Sequence, residues 1–252
     1  MAVSLDDLTS YLDEYLRVAE IPDAATAWNG LQVQGTRAVE RVVVAVDACR
    51  ASIDAAIDAD ADLLLVHHGL LWDGGGPITG RRWRRFEPLL RHGVAVYAAH
   101  LPLDCHPEVG NNALLARAIG LGDPVPFGNY QGTAIGLRGT FAGSVDELAA
   151  RVEAVLGCAP LVFGSGPVHV SSVGVVTGAG GSMIDQAITA GLDAFVTGEG
   201  AHHTWFDAVE GGIHVLYGGH YATETFGVRA LGQHLAVRFG LTSTFFDYPT
   251  GL

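Results

Sequence analysis

Five side chains at three points of the sequence have the types and spacing to hold metal ions. His67 and His68 close the apolar run 63–66, Asp104 stands four residues after His100, and Glu224 stands four residues after His220. Imidazole nitrogen beside carboxylate oxygen suits a divalent transition metal, because the carboxylate supplies charge as well as a donor atom. Each group also has a plainer reading. The His pair reads as one buried, hydrogen-bonded ring and one surface ring. Asp104 reads as a helix cap, and His220 with Glu224 as a helix-surface hydrogen bond. The recurrence of imidazole and carboxylate at three separate strand ends favours metal. Three imidazoles and two carboxylates are too many for one tetrahedral ion, and they suit two ions bridged by a carboxylate and roughly 3.5–4 Å apart. The expectation is therefore two divalent transition-metal ions per chain (iron, zinc or manganese) on His67, His68, Asp104, His220 and Glu224. No CxxC pair is present, which argues against a thiolate zinc site.

A second polar group, TGEGAHH (197–203), contains Glu199, His202 and His203. These side chains either orient ligating imidazoles, move protons beside the metals, or lie solvated on a helix. With His100 they make the candidate acid–base set His100, Glu199 and His203. The loop TGAGGS (177–182) reads as a tight strand-to-helix turn in preference to an anion cradle. Cys49, Cys105 and Cys158 are odd in number and widely spaced, so no disulfide framework is expected.

The elements that must position these residues follow from hydrophobic period. Leu5, Leu8, Leu12 and Leu16 mark one face of an opening helix, with Ser4 as its cap and Pro22 closing it. Apolar runs at 41–48, 62–69 and 94–100 read as buried strands, separated by a helix over 50–59 and by a loop at Gly74, Gly75, Gly76 and Pro77 that leads into another helix. Pro107 is expected to open a helix running to Ile119. The Gly- and Pro-rich stretch 121–170 holds short strands and a helix over 144–156. Strand–helix alternation then resumes at Val173, and a final helix runs from Thr223 to Phe239 before the strand 242–248. The predicted class is α/β, as two related α/β halves with helices packed on mainly parallel sheets. The first half is placed at 1–125, with His67, His68 and Asp104. The second is placed at 126–252, with His220 and Glu224 and a C-terminal helix packing back on the first half.

The halves resemble one another. Ile53, Asp54, Ala56, Ile57, Ala59, Asp62 and Gly69 match Ile184, Asp185, Ala187, Ile188, Ala190, Asp193 and Gly200 at a constant offset of 131, which sets His68 opposite Glu199. YAAHLPLD (97–104) matches YGGHYATE (217–224) at an offset of 120, setting His100 opposite His220 and Asp104 opposite Glu224. A shared strand–helix pattern explains the apolar matches. It does not explain His and a carboxylate recurring four apart after the same Tyr, so an internal duplication is expected. In parallel α/β sheets ligands lie beyond the carboxyl ends of strands, where all these residues fall.

Composition limits the partners. Of 252 residues, 49% are hydrophobic and 16% charged, so the chain is globular. A net charge of −13 argues against a broad nucleic-acid footprint, and the basic run Arg81, Arg82, Arg84 and Arg85 reads as a solvated helix face. The N-terminus has no signal-peptide pattern and no apolar run approaches the roughly 20 residues that span a bilayer, so a cytoplasmic protein without a membrane partner is expected.

The motifs AWNGLQVQG (27–35), LLLVHHGLLW (63–72), HLPLDCHPEVGNN (100–112), TGE (197–199) and GHYATE (219–224) together resemble the NGG-interacting-factor-like family, whose members are labelled GTP cyclohydrolase I type II homologues. The likeness spans nearly the whole chain. It implies two interlocked α/β halves, dinuclear metal ligation by the same five residues, with His100 near the site, and a ring-shaped homohexamer. Leu101 stands where Thr is usual and GNYQG (128–132) where a Cys-containing turn is usual, which changes no ligand. The expected activity is hydrolysis of a nucleotide-like or phosphoester small-molecule substrate by a metal-activated water. The alternative is a non-catalytic metal-binding regulatory or chaperone-like assembly.

Overall fold

The computed structural model describes residues 2–72 and 76–252; Gly74 and Gly75 of the expected loop lie outside them. In chain order the elements are α1 (Leu5–Tyr15), β1 (Gly30–Val33), β2 (Arg41–Asp47), α2 (Arg50–Asp58), β3 (Leu63–His68), α3 (Gly80–His92), β4 (Ala95–Ala98), α4 (Leu101–Asp104) and α5 (Asn111–Ala118). They continue with β5 (Gly122–Tyr130), β6 (Thr133–Gly143), α6 (Val145–Leu156), β7 (Leu161–Gly164), β8 (Val170–Val176), a 3₁₀ turn (Gly180–Met183), α7 (Ile184–Thr189), β9 (Ala194–Thr197), α8 (Thr204–Gly211) and β10 (His214–Tyr217). The chain closes with α9 (His220–Thr223), α10 (Thr225–Phe239) and β11 (Thr242–Phe245). The fold is mixed α/β, with two sheets flanked by helices.

The chain divides into two compact units. The first contains the residues up to Leu103 together with Gly227–Tyr248, and the second contains Asp104–Phe226 together with Pro249–Leu252. The first unit ends earlier than the boundary expected at 125. The reason is packing: Leu115, Ala116 and Ile119 of the α5 segment are buried with Val173, Val175, Ala194 and Val196 in the second unit's core.

The first unit's sheet has the order β1-β4-β3-β2-β11. Only β1 is antiparallel to its neighbour. β3 and β4 read as continuous apolar runs because they are buried along their length. α1 buries Leu5, Leu8 and Leu12 on one stripe, and Ser4 Oγ accepts the Asp7 N–H at 3.1 Å. That helix stops at Tyr15, well before Pro22, where Arg17 turns the chain with φ +56°. Burial of Leu8 and Leu12, both 0% exposed, stabilises the unit by about 1.5–3 kcal/mol each.

The second unit's sheet has the order β5-β6-β8-β9-β10-β7. Its centre is parallel, as expected of mainly parallel sheets: β8, β9 and β10 run the same way, while β5, β6 and β7 join antiparallel. The cause is local. β5 and β6 are connected only by Gln131 and Gly132, both at positive φ, a two-residue turn that forces a hairpin. Two helix starts also move. The helix expected at Pro107 begins at Asn111, and the final helix begins at Thr225, separated from the single turn α9 by Glu224 at φ −105° and ψ 6°.

Candidate metal centre

The first unit gathers three imidazoles at the carboxyl ends of β3 and β4. His67, His68 and His100 each offer a ring nitrogen, and these atoms all lie within 4.8 Å of one another. A partner fixes each ring through Nδ1. His67, fully buried, has Nδ1 at 2.9 Å from the Ala99 carbonyl, which can only accept, so Nδ1 carries the proton and Nε2 the lone pair. His68 Nδ1 is 3.0 Å from Asp47 Oδ1; Asp47 ends β2 and pairs with His68 across the ladder. His100 Nδ1 is 2.7 Å from Asp23 Oδ1.

The loop before β1 builds this last support. Asn29 Oδ1 accepts the His100 N–H at 2.7 Å, and Asn29 Nδ2 donates to Asp23 Oδ2 at 2.9 Å. Burial alone would push the Asp23 carboxyl up, but the hydrogen bonds from His100, Asn29 and the Ala24 N–H outweigh it and hold the pKa below the usual carboxylate range. Gln32 Oε1 accepts the N–H groups of Leu70 and Leu71 at 2.6 and 3.2 Å, and Gln32 Nε2 donates to the Trp28 carbonyl. This explains Gly69. A Cβ there would sit 2.2 Å from Gln32 Nε2, so glycine serves close approach and not a positive φ.

The second unit holds its carboxylates in dry surroundings. Asp104 is 5% and Glu224 2% exposed. Asp104 Oδ1 accepts from Asn111 Nδ2 at 2.8 Å and from Thr177 Oγ1 at 3.3 Å. Asn112 spans the same corner, accepting the Thr177 N–H at 2.8 Å and donating to the Ile135 carbonyl at 2.8 Å. His220 Nδ1 lies 2.7 Å from Glu199 Oε1, and its Nε2 lies 3.2 Å from Glu224 Oε2. The Glu224 hydrogen bond, helped by the charges of Glu224 and Glu199 and opposed by burial, pushes the His220 pKa up to about 9. The corner is thus strongly negative and favours a cation.

All five expected ligands therefore lie in these two clusters, His100 joins the first, and Glu199 supports a ring in the second. His203 is 73% exposed, with Asp207 at 4.0 Å, and His202 packs edge-to-face on Phe206. The 177–182 loop is a tight turn whose N–H groups at Thr177, Gly178 and Gly181 are bonded to Asn112, Thr223 and Glu199. No disulfide joins the three cysteines. The sequence reading missed Asp23, Asn29, Asp47, Asn111, Asn112 and Thr177. Asp47 was detectable as a carboxylate at the carboxyl end of a buried strand, and the Asn111–Asn112 pair lay inside a quoted motif.

The donor types in each unit fit a divalent transition metal. In the first unit His67 and His68 have Nδ1 held by a carbonyl and a carboxylate and present Nε2, and in the second the buried Asp104 and Glu224 carboxylates supply charge. Among the described residues no helix is long and apolar enough to cross a membrane.

Known proteins place the chain among relatives of the same length. A family model described as Duf34/NIF3 (NGG1p interacting factor 3) matches residues 3–250. A protein named GTP cyclohydrolase 1 type 2 homolog from Deinococcus radiodurans is 43% identical over 99% of this chain and 95% of its own. One of the same name from Halobacterium salinarum is 45% identical over 99% of this chain and 100% of its own. A crystal structure of a Thermus thermophilus protein superposes with a TM-score of 0.91 at 43% identity, covering 99% of this chain and 100% of that one. The chain belongs to the DUF34/NIF3 family.

Proposed function

We propose that this protein is a metal-dependent hydrolase whose two divalent transition-metal ions are held by His67, His68, Asp104, His220 and Glu224, and that it acts on a nucleotide-like or phosphoester substrate. The observation that carries the reading is the orientation of the His67 and His68 imidazoles: each is gripped at Nδ1, by the Ala99 carbonyl and the Asp47 carboxylate, and the grip fixes the tautomer that ligates through Nε2. The name shared by the Deinococcus and Halobacterium relatives supports hydrolysis as the reaction class. Bound ions of this kind polarise a substrate oxygen and lower the pKa of water toward neutrality.

The chain's own residues have separable tasks in this reading. His100, backed by the Asp23 carboxylate, accepts and returns a proton at Nε2. Glu199 acts through His220 as a positioning residue. His203, at the surface, exchanges protons with solvent. The buried amides of Asn111 and Asn112 keep the Asp104 corner rigid. The same reading includes a cytoplasmic homohexameric ring. A second reading, a non-catalytic metal-binding regulatory assembly, draws on the family's description as an interacting factor.

Elemental analysis of the purified protein beside Asp104→Ala tests the site. About two transition-metal ions per chain, depleted in the variant, are expected. No metal after reconstitution, or equal content in both proteins, refutes it. A hydrolase screen of the metal-loaded form then separates the two readings. Full occupancy without turnover or an exchangeable coordination position supports the regulatory one.

A further inference from the structure

Trp72 stands over the first unit's histidine cluster. Its ring is T-shaped to His100, with centroids 4.7 Å apart and planes at 88°, and T-shaped to His68, at 5.6 Å and 78°. It nevertheless keeps 39% of its surface exposed. The ring is not there by accident of a loose loop. Leu70 and Leu71, just before it, are pinned by Gln32 Oε1, and Gln32 also grips the Trp28 carbonyl. Asn29, the residue after Trp28, joins Asp23 in fixing His100. One hydrogen-bonded frame therefore sets both the imidazoles and the indole beside them.

An indole that serves only to pack would bury its faces. This one meets the His68 and His100 rings at near right angles and keeps more than a third of its surface exposed beside them. Aromatic faces next to a polar, charge-binding group are how proteins hold a flat conjugated ring attached to an anion. We infer that Trp72 is a specificity-determining residue that stacks a planar aromatic or heteroaromatic group of the substrate, while the substrate's oxyanion lies toward the histidine cluster. The inference rests on the metal-centre reading and narrows its substrate to aryl or heteroaryl oxyanions over aliphatic ones.

The test uses the full-length, metal-reconstituted protein and two simple probes, phenylphosphonate and methylphosphonate, titrated by calorimetry after metal content has been measured. The unaltered protein is expected to bind phenylphosphonate roughly tenfold tighter than methylphosphonate, the size of one aromatic stack. Trp72→Ala should remove that preference while keeping its metal content and its methylphosphonate affinity, and Trp72→Phe should restore part of it. Equal affinities in the unaltered protein, a preference that survives in Trp72→Ala, or binding of neither probe by the loaded protein would each overturn the inference. Loss of metal from Trp72→Ala would reassign the indole to supporting the imidazoles. Failure of the unaltered protein to take up metal is seen before any titration; it defeats the metal-centre reading itself, and this inference with it.

Discussion

Replacing Gly178 by alanine should damage metal binding without touching a ligand. Gly178 lies against the Glu224 carboxylate: an added Cβ would sit 2.1 Å from Glu224 Oε1 and 3.4 Å from His220 Nε2. Ordinary contact begins at 3.4 Å, so the oxygen must retreat by about 1.3 Å. Metal–ligand distances tolerate only about 0.2 Å. The carboxylate therefore leaves its position or the backbone shifts, and metal affinity should fall at least the roughly 10–100-fold seen when a supporting contact is lost. Gly178 also has φ +64°, where alanine costs about 1–2 kcal/mol of fold stability. Gly191 separates the two effects, since it has φ +67° and open space where its Cβ would be. Gly191→Ala should lose a few degrees of melting temperature, the equivalent of about 1–2 kcal/mol, and retain metal. Retention is measured by dialysis against a graded series of chelators, with thermal unfolding in parallel. Wild-type retention by Gly178→Ala would show that Glu224 is not a ligand in its observed position. Loss of metal from Gly191→Ala would mean that strain anywhere in the unit produces the effect, and the steric argument would fail.

Two further outcomes follow from single contacts. Glu199→Gln keeps an acceptor near His220 Nδ1 but removes its charge, so metal affinity should drop roughly tenfold while the melting temperature of the metal-free protein stays nearly constant; unchanged affinity would strip Glu199 of its positioning role. Asp193→Ala removes a carboxylate that accepts the N–H groups of Ser171 and Ser172 at 2.8 and 3.0 Å, costing on the order of 2 kcal/mol at neutral pH. Burial pushes the Asp193 carboxyl up, but the hydrogen bonds from Ser171 and Ser172 prevail and lower its pKa below the ordinary 3.8. A depressed folded pKa contributes stability above the unfolded value that is lost as pH falls through the folded one. The stability gap between the two proteins should thus be flat above about pH 4 and narrow below it, and a gap constant down to about pH 2.5 in urea titrations would refute the assignment.

The residues of the candidate metal centre were legible because metal chemistry is carried by residue type and spacing, and because they lie at or shortly after the ends of buried apolar runs. His67 and His68 after Leu63–Val66 needed no tertiary knowledge. Their supports were less visible, since Asp23 and Asn29 reach His100 from more than 70 positions away and no local pattern announces that pairing. The same distinction governs the fold. The parallel strands β2, β3, β4, β8, β9 and β10 are mostly buried and read as apolar runs, whereas β11, parallel to β2, alternates between exposed and half-buried residues. The antiparallel β5, with Asp123, Pro124, Val125 and Pro126 all exposed, gives no such signal, and only the Gln131–Gly132 turn reveals its partner. Helix starts failed where a side chain overrode the period. Thr223 Oγ1 accepts the Gly178 N–H and bonds back to the Gly219 and His220 carbonyls, so the chain breaks at Glu224 instead of running on from Thr223.

Equivalent positions in the two units do equivalent work, and this argues that the repeat in the sequence is a repeat of structure. Asp62 Oδ2 accepts the N–H groups of Glu40 and Arg41 at the start of β2, and Asp193 Oδ2, 131 residues later, accepts those of Ser171 and Ser172 at the start of β8. Each carboxylate thereby ties its own strand to the neighbouring parallel strand that comes before it in the chain. At the other end of the same strands the repeat diverges. His68 offers an imidazole held by Asp47, while its counterpart Glu199 holds the imidazole of His220. His100, the counterpart of His220, must then take its carboxylate from elsewhere, and Asp23 supplies it from a loop with no equivalent in the pattern. The unequal share of imidazoles between the units follows from that exchange of His for Glu and from a second one at the same offset, His67 against Gly198. Glu199→His, which restores the first unit's residue at the second unit's position, should free His220 Nδ1 from its carboxylate and weaken metal retention more than Glu199→Gln, because an imidazole there can also compete for the ion; equal retention in the two variants would mean that the exchange carries no functional weight.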